Sequence, residues 1–347
     1  MVSIKDVAKL AGVSPSTVSL VMNGCDKVKH ETAYKVRQAI EELHYVPNQA
    51  ARSLVTKEKK VISLIRISNS DIPKADADMF EVSVDTLVMD MLPGVQHVLA
   101  QHGYSLLIDF FVPLEMPLEQ IAVFDKTKID GAIFVGGMTP EATVAKIRSS
   151  GIPAVFAFSR YKNTDYIDTD PELGIYLATR HLIEEGHRDI AFINGSLFSQ
   201  TTELKMDGFC RALEEAEIRL RPEWVTTADF IGRAGYCAME KLWNQGVRPT
   251  AVVCACDNSA LGVYRFLYEK GLKCPEDVSI VGYESSMLSM HCVPPMTSVY
   301  TNKQEIGEEA ARMLLNRIRN PKAKPVNMII PSRLSIRESV AALKHES

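Results

Sequence analysis

From Val61 almost to the end of the chain, short apolar runs of strand length alternate with amphipathic stretches of helical period. The first series reads "VISLIRI", a helix near "MLPGVQHVLAQHG", "YSLLIDFFV", a helix near "PLEQIAVFD", "IDGAIFVGG", the helix "PEATVAKIRSSG" and "PAVFAF". A second begins near Asp168: the helix "ELGIYLATRHLIEEGH", "DIAFING", a helix around "ELKMDGFCRALEEA", "WVTTAD", the helix "RAGYCAMEKLWNQG", "AVVCACD", the helix "NSALGVYRFLYEKG" and "VSIVGYE". Parallel strands need a crossover, and the crossover helix covers a sheet face, so strands in such a sheet are apolar on both sides. Two similar doubly wound lobes are predicted, with a ligand cleft facing the carboxyl ends of their strands.

The first sixty residues follow a different pattern. In "SIKDVAKLAGVSPSTVSLVMNG", Ile4, Val7, Ala8 and Ala11 share one helical face, with Ser3 as N-cap and Gly12 as stop. A second helix starts at once: Ser14 can cap, Pro15 suits the first helical position, Val18, Val21 and Met22 form an apolar stripe, and Gly24 ends it. Two short helices joined by a tight glycine-containing turn form a helix-turn-helix, whose second helix can enter a major groove. A generic helical hairpin has no need for Ser14, Ser16, Thr17 and Ser19 at the start of that helix, where hydroxyls can reach phosphates and base edges. A third helix, in "HETAYKVRQAIEELHY", buries Val36, Ala39, Ile40 and Leu43. After Pro47 and the capping Asn48, an amphipathic stretch from Gln49 to Val55 is too short to hold alone and is expected to order only on docking.

Charge agrees with this division. Residues 1–60 hold ten Lys or Arg and six Asp or Glu, a balance of +4, within a chain whose net charge is -4, which leaves -8 for the remainder. A basic head on an acidic body implies that the head meets a polyanion. Cys25, Cys210, Cys237, Cys254, Cys256, Cys274 and Cys292 are too scattered for a disulfide framework and are expected as free thiols; Cys254 and Cys256 match no zinc spacing, so no metal is expected. No secretory h-region or membrane-length apolar run is present, and the expected location is cytoplasmic, at the nucleoid when bound to DNA. No dinucleotide-binding, P-loop, nucleophile-elbow or zinc signature appears, and His181 and His187 fall where a structural role is expected; neither an enzyme nor a cofactor is predicted.

Through "KDVAKLAGVSPSTVS", "ELHYVPNQAARSL" and their separation, residues 4–54 resemble the headpiece of the LacI/GalR-type bacterial transcription regulators, and the resemblance continues across nearly the whole chain. It implies an all-α helix-turn-helix headpiece on an α/β periplasmic-binding-protein-like body of two doubly wound parallel-sheet lobes. It implies divisions at 1–46 (headpiece), 47–60 (hinge helix and linker), 61–166 with 297–325 (first lobe) and 167–296 with 326–347 (second lobe). "TSVYT" and the helix after it would return to the first lobe, and "VNMIIPSRLSIRES" would finish the second.

The DNA-facing set the resemblance implies is Ser14, Pro15, Ser16, Thr17, Ser19, Leu20, Asn23, Tyr45, Asn48, Ala51, Arg52 and Leu54. Leu54 would wedge into the minor groove beside its copy from a second subunit, while Arg52 holds phosphate or the groove floor. Leu20 departs from the arginine common in the family, and Ala33 stands where an arginine is frequent. Leu20 cannot donate a hydrogen bond, so an apolar contact with a thymine methyl is expected in its place.

The effector wall implied by the resemblance includes Thr201, Lys205, Phe230, Cys256, Asp257 and Glu284. Phe230 offers an apolar face to a sugar or purine ring, or packs in the core; Asp257 contacts ligand or caps the helix "NSALG". Lys205, Cys256 and Glu284 replace the family's usual arginine, asparagine and aspartate. Lysine loses the planar fork that grips two oxygens, and glutamate reaches one methylene further. The segment 68–90 is longer than a direct strand-to-helix turn and covers the cleft or an interface.

The expected function is a repressor that binds a near-palindromic operator as a homodimer, with a sugar or sugar derivative in the interlobe cleft. No appended heptad helix for tetramers is read at the carboxyl end, and no membrane partner is expected. The rival reading, a soluble sugar-binding receptor of the same body fold, calls for a secretory signal and no basic head.

Overall fold

The computed structural model describes residues 2–22, 28–45, 59–67, 86–111, 129–196, 199–228 and 232–343. The chain divides into two compact units, 1–59 and 60–347.

The first unit holds α1 (Ile4–Ala11), α2 (Pro15–Met22) and α3 (His30–Glu42). The Asp6 carboxylate closes the start of α1, accepting from the Ser3 N–H at 2.9 Å and the Ser3 hydroxyl at 2.7 Å. Gly12, with φ of 65°, supplies the left-handed residue that ends α1. Ser14 then accepts the Thr17 N–H at 3.2 Å, and α2 begins. Val7, Ala8, Val18, Val21, Val36 and Ala39 form the buried core, with Ile40, Leu43, Ala33 and Tyr45 packed around it. The apolar Ala33 is therefore accounted for by packing.

The second unit opens with β1 (Val61–Ile67), α4 (Thr86–Gln101), β2 (Ser105–Phe111), β3 (Gly131–Val135), α5 (Glu141–Ser150), β4 (Ala154–Ala157) and β5 (Asp165–Thr169). The pattern repeats as α6 (Pro171–Glu184), β6 (Ile190–Asn194), α7 (Thr201–Glu215), β7 (Val225–Thr227), α8 (Gly232–Asn244), β8 (Ala251–Cys254), α9 (Asp257–Glu269), β9 (Ser279–Glu284), α10 (Met287–His291) and β10 (Thr297–Tyr300). The chain closes with α11 (Lys303–Arg319), β11 (Asn327–Ile330) and β12 (Arg333–Ser335). One sheet has the order β11-β5-β4-β3-β1-β2 and the other β12-β10-β9-β8-β6-β7. All pairings are parallel except β12 against β10. Each sheet carries a separate apolar cluster on each face, as the unbroken apolar runs predict.

The tail departs from expectation in three respects. "TSVY" pairs with β9, Thr297 opposite Val281, and so belongs to the second lobe, not the first. "NMII" joins the first sheet beside β5, Asn327 opposite Tyr166, not the second. Strand β5 runs to Thr169 in the first sheet, past the expected boundary at 166. The cause is the repeat itself: five consecutive parallel strands form most of each sheet, so the chain first leaves each lobe only after β5 and after β10. Helix α11 does return to the first lobe, packing on its core through Ile306, Ala310, Ala311 and Leu314. A parallel strand beside β5 then follows from the crossover geometry. Arg317 fixes that strand's start: it donates to both oxygens of buried Asp165, at 2.6 and 2.9 Å, while Asp165 also accepts the Val326 N–H at 2.7 Å. The 68–90 segment ends inside α4, whose first residues are Thr86 to Asp90; the rest of it, and the "PLEQIAVFD" helix, lie outside the described residues.

Helices α4 and α11 approach very closely. A Cβ added to Gly94 would lie 2.0 Å from the Gln304 carbonyl oxygen, and one on Gly307 would lie 2.3 Å from that of Met91. Only glycine admits backbone this near.

Candidate DNA interface and effector cleft

In the headpiece, Ser14 just before α2 and Pro15, Ser16 and Leu20 on it are exposed, while Thr17 and Ser19 are half-buried. Ser16 and Leu20, one turn apart, share a face, with Ser19 beside them. Leu20 is 44% exposed, although its neighbours Val18 and Val21 are in the core. An apolar side chain projecting from a helix whose apolar stripe is already buried is available for contact with a partner. Ser14 also shares a hydrogen bond with the Thr17 hydroxyl at 2.9 Å, so its oxygen serves the helix start. Tyr45 is half-buried against the headpiece core. Asn23, Asn48, Ala51, Arg52 and Leu54 lie outside the described residues.

In the body, the three crossovers leave from the carboxyl ends of β5, β10 and β11, so the carboxyl ends of both sheets face one another across the cleft. In each lobe the strand order reverses at the first strand, between β1 and β3 or between β6 and β8, which is where open α/β sheets take ligands.

The second lobe brings Lys205, Cys256, Asp257 and Glu284 into one electrostatic neighbourhood. Lys205, on α7, donates to the Ala255 carbonyl at 2.8 Å and lies 4.2 Å from the centre of the Tyr283 ring. Burial pushes its pKa down, against the opposing pull of Glu284, Cys256 and Asp168. Cys256 caps α9, its Sγ accepting the Ser259 N–H at 3.4 Å. Burial, with Glu284 nearby, pushes the Cys256 thiol up to about 11, so it is neutral at physiological pH. It therefore offers a soft, weakly polar contact where the family usually has an amide.

Asp257 neither caps α9 nor opens to the cleft. One oxygen accepts the Ser286 N–H at 2.7 Å and the Ser286 hydroxyl at 2.8 Å, and the other accepts the Ser298 hydroxyl at 2.6 Å. It ties the start of α9 to the loop after β9 and to β10. Burial, reinforced by Glu284, raises its pKa to about 6. Glu284 ends β9 with φ of 111°, followed by Ser285 at 49°, conformations that side chains seldom adopt. Its Oε2 accepts from Lys303 at 3.1 Å. Thr201 opens α7 one turn before Lys205 and shares a hydrogen bond with Ser199 at 3.0 Å. Phe230 lies outside the described residues.

Several groups at the cleft escaped the sequence reading. Arg160, after β4, donates to Asp168 at 2.7 Å and to the Thr169 carbonyl at 2.8 Å. Its N–H reaches Gln200 of the second lobe at 2.8 Å. Burial raises the Asp168 pKa against the pull of Arg160. Thr139 and Ser159, after β3 and β4, carry buried hydroxyls with no partner among the described residues. Asp168 could have been noticed as a carboxylate within a short strand; Arg160 and Thr139 carry no local signal. The arrangement supplies cations, carboxylates and hydroxyls for holding a polar ligand, and among the described residues no nucleophile and base are assembled for catalysis. No group of three or more metal-ligating side chains occurs among the described residues.

Residues 3–48 match the sequence family described as bacterial regulatory proteins, lacI family, and residues 179–340 the periplasmic binding protein-like domain. The chain is 35% identical over 338 residues to the HTH-type transcriptional repressor PurR of Glaesserella parasuis, covering 96% of this chain and 95% of that protein. The solved lac repressor dimer bound to operator and the anti-inducer ONPF superposes with a TM-score of 0.81 at 26% identity, over 98% of this chain and 99% of that one. A complex of the transcriptional regulator CelR with cellobiose gives 0.70 at 29% identity, over 98% and 100%. With a helix-turn-helix unit, a two-lobed cleft and full-length similarity to repressors, this chain belongs to the lacI family of bacterial regulatory proteins: it is a DNA-binding transcriptional repressor under small-molecule control and not an enzyme.

Proposed function

We propose that the protein acts in the cytoplasm as a homodimer on a near-palindromic operator, and that its effector is a sugar or sugar derivative held between the lobes. The reading rests chiefly on the cleft wall, where Lys205 and Glu284 place opposite charges beside the neutral Cys256 thiol. Such a wall suits a ligand with several hydroxyls, which donate to Glu284 and accept from a cation. The DNA-facing set is Ser14, Pro15, Ser16, Thr17, Ser19, Leu20, Asn23, Tyr45, Asn48, Ala51, Arg52 and Leu54; the effector set is Thr201, Lys205, Phe230, Cys256 and Glu284, with Asp257 shaping the wall from behind. The body is read as residues 60–347, the headpiece as 1–46 and the hinge and linker as 47–59.

A second copy has an apolar surface to bury. Met287, Leu288, Met290 and Val293, on α10 and just beyond it, are exposed, and Val293 is 89% so. Clusters of this kind on a soluble lobe mark interfaces. The ligand acts by binding one lobe arrangement more tightly than the other.

The test is an anisotropy titration of the full-length protein against duplex DNA from upstream of its own locus and against random duplex, repeated with sugars, sugar phosphates and nucleobases. A preference of about 10³-fold or more for a palindrome is expected at physiological salt. A sugar is expected to shift it. Equal affinity for all duplexes sinks the operator reading, and a response to nucleobases alone sinks the sugar reading. Sedimentation of Val293→Glu should show monomers where the parent sediments as a dimer.

A further inference from the structure

Lys303 opens α11 directly after the crossover from β10, and its side chain is 3% exposed. Its ammonium donates to Asp90 of α4 at 2.8 Å and to Glu284 at 3.1 Å. The two acceptors belong to different lobes: Asp90 to the first, Glu284 to the wall of the cleft in the second. The backbone follows the same route, since the Thr301 hydroxyl donates to the Glu284 carbonyl at 3.5 Å and Asn302 caps α11.

An ammonium this deeply buried needs both carboxylates. Burial opposes its charge, and Glu284 and Asp90 together outweigh burial and move its pKa up. Withdrawing one carboxylate leaves a buried cation half-compensated, with little water to replace what is lost. The glycine contacts at Gly94 and Gly307 hold α4 and α11 backbone to backbone, so a change in the Lys303 ammonium is not absorbed by loose packing between these helices.

We propose that Lys303 is a positioning residue that carries the state of the effector cleft into the first lobe: it joins Glu284 to Asp90, so an effector hydroxyl or amine that takes the Glu284 carboxylate changes the anchoring of α4. The proposal rests on the cleft between the lobes being the effector site. It gives the glutamate at this position a second task besides meeting ligand, and it assigns the first-lobe end of the signal to Asp90. Asp257 and Lys205, which also bear on Glu284, lie in the second lobe; Lys205 in turn feels the charge of Asp168 on β5 of the first, but it is Lys303 whose single ammonium hydrogen-bonds both Glu284 and Asp90 of α4.

Amide hydrogen exchange of α4 in the full-length protein tests this without knowledge of the effector. E284Q, a change in the second lobe, should alter exchange in the first turns of α4 by about fivefold or more. In a K303M background the same substitution should have no further effect on α4. D90N provides a second background that leaves the lysine in place, and there too the E284Q effect should vanish. An E284Q effect of equal size in every background, or none in the parent, overturns the proposal. In parallel, K303M and E284Q should shift operator affinity in the same direction. If the parent protein shows no palindrome preference, the regulatory reading fails, while the exchange experiment still decides whether Lys303 couples the lobes.

Discussion

The contact between α4 and α11 allows a prediction in which two effects of known size oppose one another. Replacing Gly94 by alanine removes a flexible residue from a helix interior, which by itself favours the variant by up to about 1 kcal/mol. Against this, the new Cβ would lie 2.0 Å from the Gln304 carbonyl oxygen and 3.0 Å from the Glu308 nitrogen. Ordinary contact begins near 3.4 Å, so the helices must part by more than about 1 Å. The obstacle is backbone, which cannot turn aside as a side chain would. Overpacking of this kind costs about 1–3 kcal/mol, or more where both partners are rigid. The net expectation is a loss of about 2 kcal/mol, a fall in melting temperature of roughly 3 °C for a unit of this size. Thermal denaturation followed by circular dichroism measures it. Gly307→Ala opens the same interface from the other helix, so the double variant should lose less than the two singles combined. A Gly94→Ala protein as stable as the parent, or more so, would refute the argument, because propensity would then have outweighed the close approach.

Three further outcomes are expected. Asp257 has a folded pKa of about 6, above its ordinary value of 3.8, so its contribution to stability is complete below about pH 4 and is lost as pH rises through 6. Relative to Asp257→Asn, the parent should therefore lose on the order of 3 kcal/mol between pH 4 and 7 in urea titrations, and a constant difference across that range would contradict the assignment. Arg317→Met strands the buried Asp165 carboxylate with the Val326 N–H alone, and about 3 kcal/mol of stability should go with it; Asp165→Asn in the same chain should restore part. Leu20→Arg should create a base preference worth about 1–3 kcal/mol at one position of each half-site, read in an operator-variant panel, and an unchanged panel would exclude Leu20 from the groove.

Much of this was legible in the sequence because it depends on periods and caps that act within a few residues. The bounds of α1 and the start of α2 follow from Ser3, Gly12, Ser14 and Pro15, and most strands of both lobes follow from apolar runs that no amphipathic surface helix would carry, whereas β5, "DYIDT", carries two aspartates and gave no such signal. The tail was not legible. "TSVY" and "NMII" are strands of equal plausibility, and their sheets were chosen by distant partners, β9 for the one and β5 for the other. The cleft divides in the same way. Lys205 and Glu284 were offered for its wall by resemblance alone, while Asp257 clamps Ser286 and Ser298, which lie 29 and 41 residues away.

The sequence by itself determined the division into a basic helical head and a two-lobed α/β body, because helix caps, hydrophobic period and charge are properties of neighbouring residues. Only the tertiary structure decided which carboxylates meet which cations. Nothing local marks Lys303 within "KQEIGEEAARMLLNRIRN" until folding brings Asp90, 213 residues away, and Glu284 against it. Burial then turns an ordinary surface charge into one that requires both partners, and burial is a property that no local stretch of sequence contains.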